Sequence, residues 1–302
     1  MPPSIAFNGF ILTSAFQPIY GVGDGRAVGY ECLIRSADQD GVILRPSRLF
    51  DHLDEAEIVS LDRTCRTLHL RSFASIDPGE RILYLNIHPV ALIAEARNAK
   101  LVRSRIGYFG LTPERVCIEI LEGSCSDEGE LVDAVAAFRE MGISIAMDDF
   151  GVARSNFDRV AALRPDYVKI DRTLLSDAVG DEKARRMLPS VIDILHETGA
   201  RVVVEGVEDA SAALVAIEAG ADFLQGFYFA TPATGLHDDA LTERILRELV
   251  RMRGSRLAPA NDAIDPAVPA SAIARLLNSA RRISPTIDSL NSYRDPAARA
   301  VE

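Results

Sequence analysis

The 302-residue chain is short of the features that would mark a disulfide scaffold, a soft-metal site, a membrane span or a nucleic-acid surface. Cysteine occurs only at Cys32, Cys65, Cys117 and Cys125, with no CxxC spacing, so the thiols are expected to be reduced. Histidine is equally sparse, and no HExxH pattern supports a zinc site. No run approaches the roughly 18 apolar residues of a membrane span, and "MPPSIAFNGF" lacks the basic region and long apolar core of a secretion signal. The expected location is therefore the cytoplasm. Positive charge is also scarce: 33 basic residues against 44 acidic ones leave a net charge of -11, which disfavours DNA as a partner because counterion release needs a basic surface. A small anionic ligand is compatible with this balance if a few Arg and Lys residues, or bound metal, supply local cations.

What the chain does have is a repeating order of short β-rich runs and longer helical stretches. The strand candidates are "FQPIYGV", "AVGYECLIR", "RILYLNIH", "RVCIEIL", "ISIAMDD", "DYVKID", "RVVVEGV" and "DFLQGFYF". Between them lie helical stretches such as residues 46–74, 128–142, 182–199 and 210–220. This alternation predicts an α/β fold, a parallel sheet closed into a barrel; no GxGxxG opens a helix as an open dinucleotide-binding sheet would require. The first two strands are joined only by "GDGR", too short for a parallel crossover, so the first strand is expected to run antiparallel to the second. After residue 253 the composition turns to "RGSRLAPANDAIDPAVPAS", read as a linker, and "SAIARLLNSARRI" beyond it has helical spacing. The expected division is a barrel over 1–253 and a linker with a short helical tail over 254–302.

In such a barrel the chemistry lies at the C-terminal strand ends. Those ends carry Glu31, Asn86, Glu119 with Glu122 just beyond, Asp148 and Asp149, Lys169 and Asp171, Glu205, and Gln225. Any one of them has a structural explanation, as a helix cap or half of a surface ion pair. Together, several carboxylates around one mouth would repel one another unless a cation were present, and one lysine cannot neutralise them. Oxygen donors favour Mg²⁺ or Mn²⁺, and two such ions suit phosphoryl chemistry. The adjacent Asp148 and Asp149 fit that reading if the chain leaves the sheet after Asp148 and turns Asp149 toward the same space. Lys169 would orient a nucleophilic water or balance developing negative charge.

The stretches "FQPIY", "YECLIR", "LNIHP", "IEILE", "MDDFG", "PDYVKID", "VEGVE" and "LQGFYFATP" resemble, in order over about residues 12 to 250, the signature segments of the bacterial EAL-domain phosphodiesterases. The resemblance implies a modified (β/α)8 TIM-type barrel with an antiparallel first strand and hydrolysis of cyclic di-GMP to linear pGpG, with two ions per site. It implies metal ligation by Glu31, Asn86, Glu119, Asp148, Asp149 and Glu205, and catalytic roles for Glu31, Lys169, Glu205 and Gln225. Gln17, Arg35 and Gln225 would contact substrate, and Glu122 would support the loop after the Asp pair. A homodimer is implied too, and residues 254–302 are a candidate contact for a regulatory partner. Two positions depart from the family pattern: Cys32 replaces the Ala of EAL, and the loop reads "DFGVARSNF" where "DFGTGYSSL" is common. No "GGDEF" occurs, so synthesis of the messenger is not expected. The competing readings are a cyclic di-GMP receptor of the same fold that does not cleave its ligand, and an unrelated barrel enzyme using Mg²⁺ to stabilise an enolate.

Overall fold

The computed structural model describes residues 3–77, 79–121, 128–151, 156–237 and 240–257. Glu122, the loop Val152-Ala153-Arg154 and the helical stretch expected in 258–302 lie outside the described residues.

The described chain begins with an antiparallel meander: β1 (Ser4–Phe7) pairs with β2 (Phe10–Gly21), which pairs in turn with β3 (Ala27–Ala37), and β4 (Ile43–Leu44) returns along β3. From there strands and helices alternate: α1 (Glu55–Ile76), β5 (Ile82–Ile87), α2 (Pro89–Ala96), α3 (Ala99–Tyr108), β6 (Val116–Ile120), α4 (Glu128–Glu140), β7 (Ser144–Phe150) and α5 (Asn156–Leu163). The second half continues as β8 (Tyr167–Ile170), α6 (Arg172–Gly180), α7 (Glu182–Glu197), β9 (Arg201–Val204), α8 (Ala210–Ala219), β10 (Phe223–Leu224) and α9 (Ala240–Leu257). The strand order β2-β10-β9-β8-β7-β6-β5-β3, with β2 also paired to β3, closes an eight-stranded barrel. β2 is antiparallel to both neighbours, and the remaining barrel pairs are parallel, as the short "GDGR" link demands.

Three details differ from the sequence reading. The long helical stretch expected from residue 46 is broken into a 3-10 turn, Pro46–Leu49, and α1 proper. Asp54 sets the start: its carboxylate accepts from Glu57 N at 2.9 Å while Glu57 Oε2 accepts from Asp54 N at 3.0 Å, satisfying donors that a helix start leaves open. At the other end, α9 runs on through Gly254 to Leu257, past the composition change at 253. Its Leu246 and Leu249 are buried, and a helix so anchored tolerates a glycine near its end at a cost of about 1 kcal/mol. Thirdly, Glu31 is not late in its strand, because β3 extends beyond the barrel as part of the hairpin; its parallel pairing with β5 ends at Cys32, which places Glu31 at the mouth all the same.

Strand side chains alternate, so one face of every barrel strand points inward. The inward face forms an apolar layer from Ile19, Tyr84, Cys117, Ala146, Tyr167, Val203 and Phe223, a cluster separate from the larger core between sheet and helices. Large and small residues interleave there, with the Tyr84 and Tyr167 rings edge to face at 5.5 Å. Two residues further toward the mouth, the same faces carry Asn86, Glu119, Asp148, Lys169, Glu205 and Gln225; on the reversed β2 the equivalent of Ile19 is Gln17. A buried, largely aromatic floor thus underlies a polar layer. Cys32, Cys65 and Cys117 are buried free thiols. Among the described residues, no helix is long and apolar enough to cross a membrane.

Candidate active site

Lys169 stands at the centre of the polar layer, 1% exposed. Its Nζ lies 2.6 Å from Glu205 Oε1, 2.9 Å from Glu119 Oε1, 3.2 Å from Asp148 Oδ1 and 3.3 Å from Glu31 Oε2. Burial pulls the Lys169 ammonium down, but Asp148, Glu119, Glu205 and Glu31 together outweigh it and hold the group well above the ordinary lysine value. The acids around it are driven apart by their surroundings. Glu119, fully enclosed, is pushed well above the usual carboxylate range by burial and by Glu31 and Asp148, against the pull of Lys169. Glu205 is likewise raised, by burial and by Asp148 and Glu31. Glu31 is buried too, but Lys169 and hydrogen bonds from Asn86 and Gln225 lower it overall.

Those hydrogen bonds fix the geometry on the Glu31 side. Asn86 Nδ2 donates to Glu31 Oε1 at 3.0 Å, and Gln225 Nε2 donates to Glu31 Oε2 at 2.7 Å and to Gln17 Oε1 at 3.3 Å. Gln17 Nε2 in turn donates to the Ala230 carbonyl at 3.2 Å. Gln17 is the direct cross-strand partner of Glu31. Arg35 lies four residues along β3 on the same face, half-buried, with Nη1 donating to the Ile34 carbonyl at 3.0 Å.

The adjacent aspartates use a backbone irregularity. Pairing between β7 and β8 shifts register between Met147 and Phe150, and Asp149 adopts a left-handed conformation with φ of 53°. That conformation costs a non-glycine residue about 1 kcal/mol or more, and it lets two consecutive side chains reach one space. Carboxylate oxygens of Asp148, Asp149 and Glu205 all lie within 4.8 Å of one another. The sequence expectation that the chain leaves the sheet after Asp148 is not met, because β7 continues to Phe150, which pairs with Ile170; a bulge inside the strand brings Asp149 to the space of Asp148 instead.

Gln17, Glu31, Asn86, Glu119, Asp148, Asp149, Lys169, Glu205 and Gln225 come together at this mouth, Arg35 lies four residues further along β3, and Asp171 has the ordinary role of helix cap, accepting from Thr173 N at 2.8 Å. Sequence reasoning missed three neighbours: Arg172, Glu208 and Phe227 line the same cavity of about 210 Å³ as Gln17, Glu31, Glu205 and Gln225. Their signal was adjacency, since each lies one to three residues beyond Asp171, Glu205 or Gln225.

A closed barrel with one reversed strand and an acidic, oxygen-lined mouth defines a barrel protein suited to hard cations and their anionic ligands. The EAL domain family matches residues 6–232, most of the chain, and the chain belongs to that family. The cyclic di-GMP phosphodiesterase RocR of Pseudomonas aeruginosa is 29% identical over 228 residues, which cover 74% of this chain and 57% of RocR. Among solved structures, the Bacillus subtilis YkuI protein in complex with c-di-GMP and calcium superposes with a TM-score of 0.70 at 25% identity, covering 81% of this chain and 60% of that one. The Klebsiella pneumoniae BlrP1 calcium/cy-diGMP complex gives 0.67 at 25% identity, covering 74% and 57%. The chain spans only 28% to 57% of the length of the first curated relatives it matches.

The residues present fit divalent ions of the kind those neighbours hold. Among the described residues, Glu119 Oε2 is buried with no partner, and Glu119 Oε1 and Asp148 Oδ1 meet only the Lys169 ammonium. Buried carboxylate oxygens without donors are costly, and a cation among oxygen donors removes that cost.

Proposed function

We propose that the chain hydrolyses cyclic di-GMP to linear pGpG in a reaction that depends on two Mg²⁺ or Mn²⁺ ions. The observation that carries the reading is the excess of acid at the mouth: Glu31, Glu119, Asp148 and Glu205 converge on one lysine, with Asp149 beside them. Glu31, Asn86, Glu119 and Asp148 would hold one ion, and Asp148, Asp149 and Glu205 the other. When bound, the ions supply Lewis-acid stabilisation of charge on the phosphate and ease ionisation of water.

The chain's own residues do the rest. Gln225 and Asn86 clamp the two oxygens of Glu31, so its carboxylate cannot rotate as substrate enters. Lys169, kept protonated by its acidic neighbours, is unsuited to act as a base. It donates hydrogen bonds instead, orienting the attacking water and offsetting negative charge that grows on the phosphate. Arg35 offers a planar fork to a phosphate at the rim, and Gln17 lines the groove. Water adds to one phosphorus, the bond from that phosphorus to a ribose 3′-oxygen breaks, and the released proton ends on that oxygen. The aromatic floor excludes bulk water from below, which strengthens every one of these interactions.

The test is to incubate the purified chain with cyclic di-GMP and Mg²⁺ or Mn²⁺ and follow pGpG by chromatography, with Glu31→Ala alongside. The expected result is pGpG from wild type and loss of turnover in the variant. Binding without turnover in wild type would replace this reading with a receptor. The proposal includes action in the cytoplasm as a homodimer whose residues 254–302 meet a regulatory partner. Light scattering on the full chain tests the dimer.

A further inference from the structure

The meander β1 to β4 extends past the barrel mouth, and its two faces are used differently. One face serves the fold: Ile5, Phe7, Phe10 and Leu12 pack with Leu49 and Leu61. The other carries Ala6, Ile11, Ala37 and Ile43 in a single row, since each is the direct cross-strand partner of the next. A solvated sheet face is ordinarily polar, yet here Ile11 is 45% and Ile43 80% exposed, with Val42 beside it at 56%. This is not the exposure of a slack loop. Asp38 Oδ1 accepts from Asp40 N at 3.0 Å and Val42 N at 2.9 Å, and Asp38 N donates to the Val42 carbonyl at 3.0 Å, so the turn that presents Val42 and Ile43 is fixed by its own hydrogen bonds. Strand periodicity places the row: Glu31, Leu33, Arg35 and Ala37 share one face of β3, so it lies about 20 Å along the strand from Glu31 and one side-chain step beyond Arg35.

We propose that this face docks a cationic amphipathic helix of a partner protein, with its apolar stripe on Ile11, Ala37 and Ile43 and its basic residues beside Asp38 and Asp40. Size and charge select that occupant. Four strands about 4.8 Å apart make a row about 14 Å long, the length of about nine helical residues, which is enough for contacts at i, i+3 or i+4, and i+7. Residues 36–42 hold Asp38 and Asp40 and no base, in a chain of net charge -11, so the border of the row and the field of the whole chain both attract a positive partner. A helix seated there stands at the rim next to Arg35, where it governs entry to the mouth. The surface is separate from the reacting centre, and it stands whether or not the mouth cleaves its ligand.

The test uses the full chain and a fluorescent helical peptide of about 14 residues with Leu and Lys at amphipathic spacing, read by anisotropy against the same peptide with Glu in place of Lys. Wild type is expected to bind the Lys peptide at least about 10-fold more tightly than the Glu peptide. The double variant Ile11→Ser, Ile43→Ser should weaken the Lys peptide at least about 10-fold, and Asp40→Asn by about 2- to 3-fold in low salt, a difference that closes at high salt. Thermal midpoints should hold within about 3 °C, since the substituted side chains are exposed. No binding of the Lys peptide by wild type overturns the proposal, as does equal affinity for the two peptides or unchanged affinity in the double variant. Light scattering that shows self-association in wild type and its loss in the double variant would assign the face to a second copy and overturn the cationic helix. Peptide binding as predicted without pGpG formation from cyclic di-GMP would contradict the hydrolase reading and leave the docking face standing; pGpG formation without peptide binding would do the reverse.

Discussion

Two clusters of buried charge in this molecule are built on opposite principles. Between α1, α2 and α3, Asp62 and Glu95 are met by Arg63, Arg66 and Arg105: Arg66 pairs with Asp62 and lies 3.7 Å from Glu95, Arg63 and Arg105 reach Glu95 at 2.5 and 2.9 Å, and His88 N donates to Asp62 Oδ1 at 3.0 Å. Two acids face three cations; Glu95 is lowered because the arginines outweigh its burial, whereas Asp62 is raised because burial outweighs Arg66 and the His88 N–H. At the barrel mouth four acids face one lysine, and Glu119 and Glu205 are raised. A buried ionic cluster that is complete in itself serves the fold; one left short of positive charge is where a cation and an anionic ligand belong.

The largest expected effect comes from breaking the complete cluster. Arg66→Met strands Asp62, Glu95 keeping Arg63 and Arg105, and should cost about 3–5 kcal/mol of stability, read as a fall of roughly 10 °C in the unfolding midpoint. The midpoint shift caused by Mn²⁺ should be the same in the folded variant as in wild type. At the mouth the pattern reverses: Asp148→Asn should lower kcat by about 10³-fold while the metal-free midpoint stays level or rises, because a like-charge neighbour is gone. Loss of stability without loss of activity there would erase the distinction between the clusters. Lys169→Met should destabilise the metal-free chain by about 3 kcal/mol, and Mn²⁺ should restore a larger share of stability than it adds to wild type.

A further prediction concerns pH. His69, buried with Nδ1 2.8 Å from Ser14 Oγ, is lowered to about 3 by burial and by Arg66 and Arg35. Between about pH 6.5 and 3 the unfolded chain binds a proton there that the folded chain refuses, so stability falls as pH falls, by up to about 1.4 kcal/mol per pH unit. Denaturant titrations of wild type and His69→Gln across that range should differ in slope by this amount; identical slopes would show that His69 does not titrate on unfolding.

Much of this was legible in the sequence, for identifiable reasons. Strand alternation and the length of "GDGR" were enough for the closed barrel and its reversed strand, since crossover length is a hard geometric limit. The acidic ring was legible because barrels gather strand ends. The first hairpin was readable but missed: Asn8 and Gly9, with φ of 45° and 84°, form a two-residue turn between Phe7 and Phe10, the dipeptide most typical of such turns. The bulge at Asp149 and the place of Arg172 in the mouth cavity were not legible, because each depends on how one strand end packs against the next element. The α1 network was hidden for the same reason: Asp62 and Arg66 are buried only because α2 packs on α1 and brings Glu95 to them.

The central claim is that the unbalanced mouth is completed by divalent cation. Calorimetric titration of the metal-free wild-type chain with Mn²⁺ tests it directly, with Asp148→Asn as the paired variant. The account predicts binding of up to two ions per chain, with affinity reduced at least about 10-fold in the variant. A wild-type chain that takes up no Mn²⁺, or binds it as tightly without the Asp148 carboxylate, would contradict it.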